Sequence, residues 1–140
     1  MRRFLGRERD RGQALVEFAF ALPIFLLVVF GLIDLGRAVY VNNSLAEAAR
    51  DGARYGSVQA RAWNEARRTN VETWVLDRLV AVPGATATVE CTAANPGIGC
   101  TVEDIVTVTV ETELDMITPL IGQILGPLSL EGRSEAIVQN

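Results

Sequence analysis

The chain has 140 residues, a net charge of −4, 13 arginines as its only cationic side chains, and no histidine. Without histidine the commonest metal ligand and general base are missing. The charge is unevenly placed: Arg2, Arg3, Arg7, Arg9 and Arg11 face only Glu8 and Asp10 in the first twelve residues, and the rest carries 8 arginines against 15 acids. An acidic remainder argues against nucleic-acid binding.

Phe18 to Ile33 is sixteen residues without a charge, and residues 14–33 form a twenty-residue apolar segment interrupted only by Glu17. As a helix, at about 1.5 Å per residue, it spans roughly 30 Å, the thickness of a bilayer core. Its apolar residues point all round, whereas a surface helix keeps a polar stripe. A helix buried in a soluble core is the alternative, but a small domain has little material to surround it. A secretory signal peptide is a second alternative, but no clean cleavage site follows, since Leu35-Gly36-Arg37-Ala38 carries an arginine. The arginine cluster before the segment predicts a cytoplasmic N-terminus and an extracytoplasmic remainder. Pro23 removes one backbone hydrogen bond from the helix and is expected to bend or loosen it.

Glu17 is a carboxylate just inside an apolar helix, which is costly and points either to a function or to snorkelling at the interface. Gly12 lies five residues before it, basic residues precede and the apolar run follows. This arrangement resembles the processing site of the type IV pilin superfamily. The resemblance implies a membrane aspartyl peptidase that cuts between Gly12 and Gln13, leaving Glu17 as fifth residue of the mature chain and the aromatic Phe18 after it. It also implies that Glu17 acts in assembly, pairing with the new amine of Gln13 on its own or a neighbouring chain.

Residues 34–55 continue as helix by their spacing, with Leu35, Ala38, Val39, Asn42, Leu45, Ala46, Ala49 and Ala53 on helical positions. Asp34 with Arg37, and Asp51 with Arg54, stand three apart and are expected to pair on the exposed side. The small residues Ala46, Ala49, Gly52 and Ala53 let another backbone approach, either the chain's own module or a second subunit. Asn42-Asn43-Ser44 matches a glycosylation acceptor by chance, since it sits on a helix. Membrane segment and continuation together predict a rod from Gln13 to about Tyr55, on the order of 65 Å long.

Arg11-Gly12-Gln13-Ala14-Leu15-Val16-Glu17-Phe18-Ala19, Leu22-Pro23, Gly31-Leu32-Ile33-Asp34-Leu35-Gly36-Arg37-Ala38 and Ala48-Ala49-Arg50-Asp51-Gly52-Ala53-Arg54 together resemble the TadE-like pseudopilins of tight-adherence (Tad, or Flp) pilus systems. The resemblance is dense over residues 11–56 and architectural beyond. It implies a minor, pilin-like membrane protein that is cut by a prepilin peptidase and takes part in assembling an adhesive pilus. Its implied partners are that peptidase, other pilins or pseudopilins and membrane lipid.

Beyond a break at Gly56-Ser57, a second helix is expected from about Ala62 to Val80. Trp63, Ala66, Val71, Trp74, Val75 and Leu79 fall on one face, and Pro83-Gly84 ends it. The period then changes to two. Ala85–Cys91, Ile105–Leu114 and Leu128–Val138 read as three strands with one dry and one wet face. Ile117–Leu125 reads as a short helix or turn, ended by Gly126-Pro127. Cys91 and Cys100 are two cysteines in an exported module, which suggests a disulfide across the loop between them, with free thiols as the alternative.

The expected fold is therefore α+β and pilin-like: a long N-terminal transmembrane and stalk helix, a second helix and a small antiparallel sheet of about three strands. The expected division is a cytoplasmic leader at 1–12, a transmembrane helix at 13–34 in a cytoplasmic (inner) membrane, and an extracytoplasmic module at 35–140. No nucleophile–base pair, phosphate loop or metal cluster is legible, so neither catalysis, a cofactor nor a small-molecule substrate is expected. Two other readings stay open: a pseudopilin of a related secretion system, and a membrane-anchored extracytoplasmic binding protein.

Overall fold

The computed structural model describes residues 5–60, 63–92, 100–118, 122–123 and 126–139, with side chains from residue 12 onward. Helix α1 runs unbroken over Leu5–Gln59, 55 residues, a rod of about 80 Å at 1.5 Å per residue. Pro23 lies inside it without ending it. A shorter helix α2, Glu65–Leu76, and strands β1 (Thr86–Thr92), β2 (Ile105–Leu114) and β3 (Leu128–Ile137) follow. The strands form one antiparallel sheet in the order β1-β2-β3. The architecture is the expected α+β arrangement.

The two halves of α1 have different surroundings. From residue 12 to Ile33 the apolar side chains, among them Leu15, Phe18, Ile24, Phe25 and Leu32, stay exposed. This half is long and apolar enough to cross a membrane once. From Asp34 on, α1 becomes the spine of the module. Val41, Leu45, Ala48, Ala49 and Ala53 are buried against the sheet and α2. Leu35, Val39 and Asn42, read on the same helical spacing, point to solvent. The buried stripe is turned toward Val41 and Ala48 because the sheet, and not the helix pattern alone, selects which side is covered.

Each strand turns alternate residues toward the stalk, as its period of two requires, and in β2 Thr107 is covered on the other face as well. The central β2 turns Val106, Val108, Val110, Thr112 and Leu114 inward, with Val89 of β1 beside Val108 and Gly132 of β3 beside Val110. The small residues of the stalk serve this packing. A Cβ on Gly132 would stand 2.5 Å from the Leu45 carbonyl carbon and 2.7 Å from the Ala46 nitrogen. The sheet thus lies directly on the backbone of α1. A Cβ on Gly52 would strike Val75 of α2, so Gly52 sets how closely the two helices approach. Ala49, Gly52 and Ala53 are buried within the chain's own module.

Helix α2 is shorter than its pattern suggested. Asn64 caps its start, its side chain accepting from the Arg67 N–H at 2.9 Å. At its other end Arg78 and Leu79 donate to the carbonyls three residues back, Val75 and Leu76. This tighter turn ends the helix before the expected Val80. Ala81 follows with φ of 61° and turns the chain toward β1. Val71 and Val75 are fully buried, Trp63, Trp74 and Leu79 partly so, and Ala66 is exposed. Of the expected short helix at 117–125, residues 122–123 are helical, and residues 119–121 and 124–125 lie outside the described residues.

Candidate functional site

The motif at the head of the rod lies on one face-connected stretch of α1. Gln13 and Glu17 are four residues apart, and the Gln13 Nε2 donates to a Glu17 carboxylate oxygen at 3.3 Å. Gly12, Gln13, Glu17 and Phe18 are all exposed, and no described residue beyond its neighbours along the helix lies within 4 Å of where a Cβ on Gly12 would stand. The helix already extends upstream of Gly12 to Leu5. Glu17 therefore meets no cationic partner among the described residues, and its only hydrogen-bond partner there is a neutral amide one turn before it.

A second site lies at the other end of the apolar segment and was misjudged from the sequence. Asp34 was expected on the exposed side, paired with Arg37. It is instead buried, at 5% exposure. It accepts from the Ile117 N–H at 2.9 Å, the Thr118 N–H at 2.8 Å and the Thr118 hydroxyl at 2.6 Å. Three donors converging on one carboxylate form a charge-assisted set that a helix position otherwise lacks. The expected ion pair with Arg37 does form, at 3.6 Å, and Arg37 also donates to the Asp115 carbonyl at 3.2 Å. The segment after β2 is thus fastened to α1 across more than eighty residues of sequence. A lone acid at the end of an apolar helix was the available signal, since such a group needs a donor. Its partner 84 residues away was not legible from spacing. Asp51 and Arg54 are both exposed and form no ion pair among the described residues.

Tyr55 and Trp74 stack with ring centroids 4.4 Å apart and planes 5° from parallel. Arg78 closes the stack, its guanidinium carbon 3.6 Å from the Trp74 ring. The tryptophan is therefore a strut between α1 and α2. Cys91 and Cys100 are bonded to each other, with Cα atoms 6.0 Å apart. Asp104 lies near both sulfurs, but bonded sulfurs are not thiolate ligands, and the Asp104 carboxylate accepts from the backbone N–H and hydroxyl of Thr101. Asp104 thus folds its own turn.

Set against known proteins, residues 12–54 match the family described as TadE-like protein. No curated protein and no solved structure matches the chain. The matched stretch begins at Gly12, contains Gln13, Glu17, Phe18, Pro23 and Asp34, and ends on the stalk inside the module, so it covers the apolar segment and most of the rod that carries the sheet. That family suggests a pilus-associated protein and implies interaction with other pilus components. Over residues 12–54, the rod on which the rest of the molecule is built, the chain is similar to the TadE-like protein family.

Proposed function

We propose that this chain is a minor pseudopilin of a Tad-type pilus, cut by a prepilin peptidase between Gly12 and Gln13. Residues 1–12 serve as a cytoplasmic leader, residues 13–34 cross the cytoplasmic membrane, and residues 35–140 form the extracytoplasmic module. The observation that carries this reading is the coincidence of two features at one place. The TadE-like match starts at Gly12, and Glu17 follows five residues later at the head of an exposed apolar helix.

Cleavage gives Gln13 a free amine, a cation, four residues before Glu17. Neither group is comfortable alone at the edge of lipid. Their pairing, within one chain or between neighbours, is stronger there than at a protein surface, and a partner left unpaired is costly. Glu17 therefore acts in recruitment of neighbouring pilin-like subunits, not in insertion.

N-terminal sequencing of the membrane-extracted protein, from a host with its own peptidase, tests the processing step. The expected sequence begins at Gln13. A protein that still begins at Met1 in those cells overturns the reading. Gly12→Val is expected to abolish cutting, because the peptidase must accept an extended backbone with a small side chain at that position.

A further inference from the structure

The membrane reading of α1 leaves one part of the module unaccounted for: the connection between β2 and β3. From Met116 to Leu130 the sequence holds no charged residue, an unusual run in an otherwise acidic module. Ile117 is 51% exposed and Leu128 37%. The connection is compact at its described positions, with the Gly122 N–H donating to the Thr118 carbonyl and the Gly126 N–H to the Gly122 carbonyl, both at 3.0 Å.

What decides its surroundings is Asp34. The apolar segment ends at Ile33, and the very next side chain binds the N–H groups of Ile117 and Thr118. Ile117 is therefore held at the depth of residue 34 along the rod. With residues 14–33 filling the hydrocarbon core, that depth is the boundary between acyl chains and headgroups. A buried carboxylate with three donors, and two backbone N–H groups satisfied by it, suit a place where water is scarce. Arg37, one turn further from the membrane, is 41% exposed and stands at headgroup level, where a cation is favourable.

We propose that Met116 and Ile117, at the start of the β2–β3 connection, are a second membrane contact: an apolar foot that dips into the lipid interface and is fastened to the transmembrane helix by Asp34. The occupant of this exposed apolar patch is the bilayer itself. The contact holds the module upright against the membrane and limits the angle at which the stalk leaves it. This inference rests on the membrane-spanning reading of residues 13–34.

The test uses the full chain reconstituted in phosphatidylethanolamine and phosphatidylglycerol vesicles. Single cysteines at Ile117→Cys, Leu32→Cys and Ile137→Cys are labelled without reductant with an environment-sensitive fluorophore. The unsubstituted chain serves as blank, and nitroxide lipids labelled near the glycerol end act as quenchers. Ile137 is the control because it is as apolar and exposed as Ile117, yet lies at the far end of β3, opposite Ile105. The expected result is blue-shifted, quenched emission at Ile117→Cys and Leu32→Cys, and aqueous, unquenched emission at Ile137→Cys. Adding Asp34→Ala is expected to lose most of the quenching at Ile117→Cys and none at Leu32→Cys. Aqueous emission at Ile117→Cys beside a quenched Leu32→Cys overturns the foot and leaves the membrane span standing. Absence of quenching at Leu32→Cys overturns the span and the foot together. Blue-shifted but unquenched emission at Ile117→Cys means that a second copy of the chain covers the patch, and equal quenching at Ile137→Cys means that the module lies flat; either overturns the proposal. Quenching at Ile117→Cys that survives Asp34→Ala overturns the fastening by Asp34.

Discussion

At the scale of single residues, the two carboxylates that bracket the apolar segment have opposite fates. Asp34 is buried and receives three hydrogen bonds from residues 117 and 118, so its charge is spent within the fold. Glu17 is exposed and, among the described residues, meets only the amide of Gln13. An acid at the edge of lipid with no cationic partner among the described residues is one whose partner a neighbour can supply. Glu17→Ala is accordingly expected to insert as well as the parent or better, since a charge leaves the apolar segment, and to be cut at Gly12 with at most partial loss. It is expected to fail to restore piliation in a deletion strain and to lose co-purification with its pilin partners. Full piliation at native expression levels would return Glu17 to the role of an interfacial residue that merely reaches water.

At the scale of elements, the contact between α1 and β3 controls the module. Gly132 meets backbone atoms of Leu45 and Ala46, and backbone cannot rotate away as a side chain does. Gly132→Val must push the sheet off the stalk, with an expected cost of about 1–3 kcal/mol or more, as for other overpacked cores. Gly36, on the same helix, has nothing within 4 Å of an added Cβ and is exposed. Gly36→Ala should stabilise the helix by roughly 0.5–1 kcal/mol through lower backbone entropy in the unfolded chain. Denaturant unfolding of the two variants in the same detergent checks the contrast. Equal effects would show that close approach at Gly132 does not govern stability.

At the scale of the whole molecule, the rod is one continuous helix and the module is a cap on its second half. The sheet and α2 cover only one side of that half, so the module is small for its exposed surface and gains from a covalent closure. The bond between Cys91 and Cys100 spans a sequence separation of 9, for which the chain-entropy account gives about 2–3 kcal/mol. The expected outcome in native protein is one linked fragment in non-reducing peptide mapping. The double variant Cys91→Ser, Cys100→Ser should unfold at lower denaturant by an amount equivalent to that figure. Recovery of two alkylatable thiols from freshly isolated protein would contradict it.

The sequence by itself determined the kind and order of elements. A twenty-residue apolar run with no polar stripe makes a helix that the module leaves uncovered. Alternation at Val106, Val108 and Val110 makes a strand with one dry face, and the motif from Gly12 to Phe18 carries the family likeness. These are local signals, written in residues that are neighbours along the chain and repeated every two or every 3.6 positions. Tertiary structure alone decided which side of the stalk is covered, where α2 stops, that Gly132 rests on the backbone of Leu45, and that Asp34 faces inward. The end of α2 rests on a tightening of its own last turn; the others depend on a partner tens of residues away, and periodicity holds no record of distance in space. For Asp34 the physical reason is plain. A carboxylate three residues before an arginine reads as a surface pair, and only the arrival of the Ile117 and Thr118 donors makes burial the cheaper state.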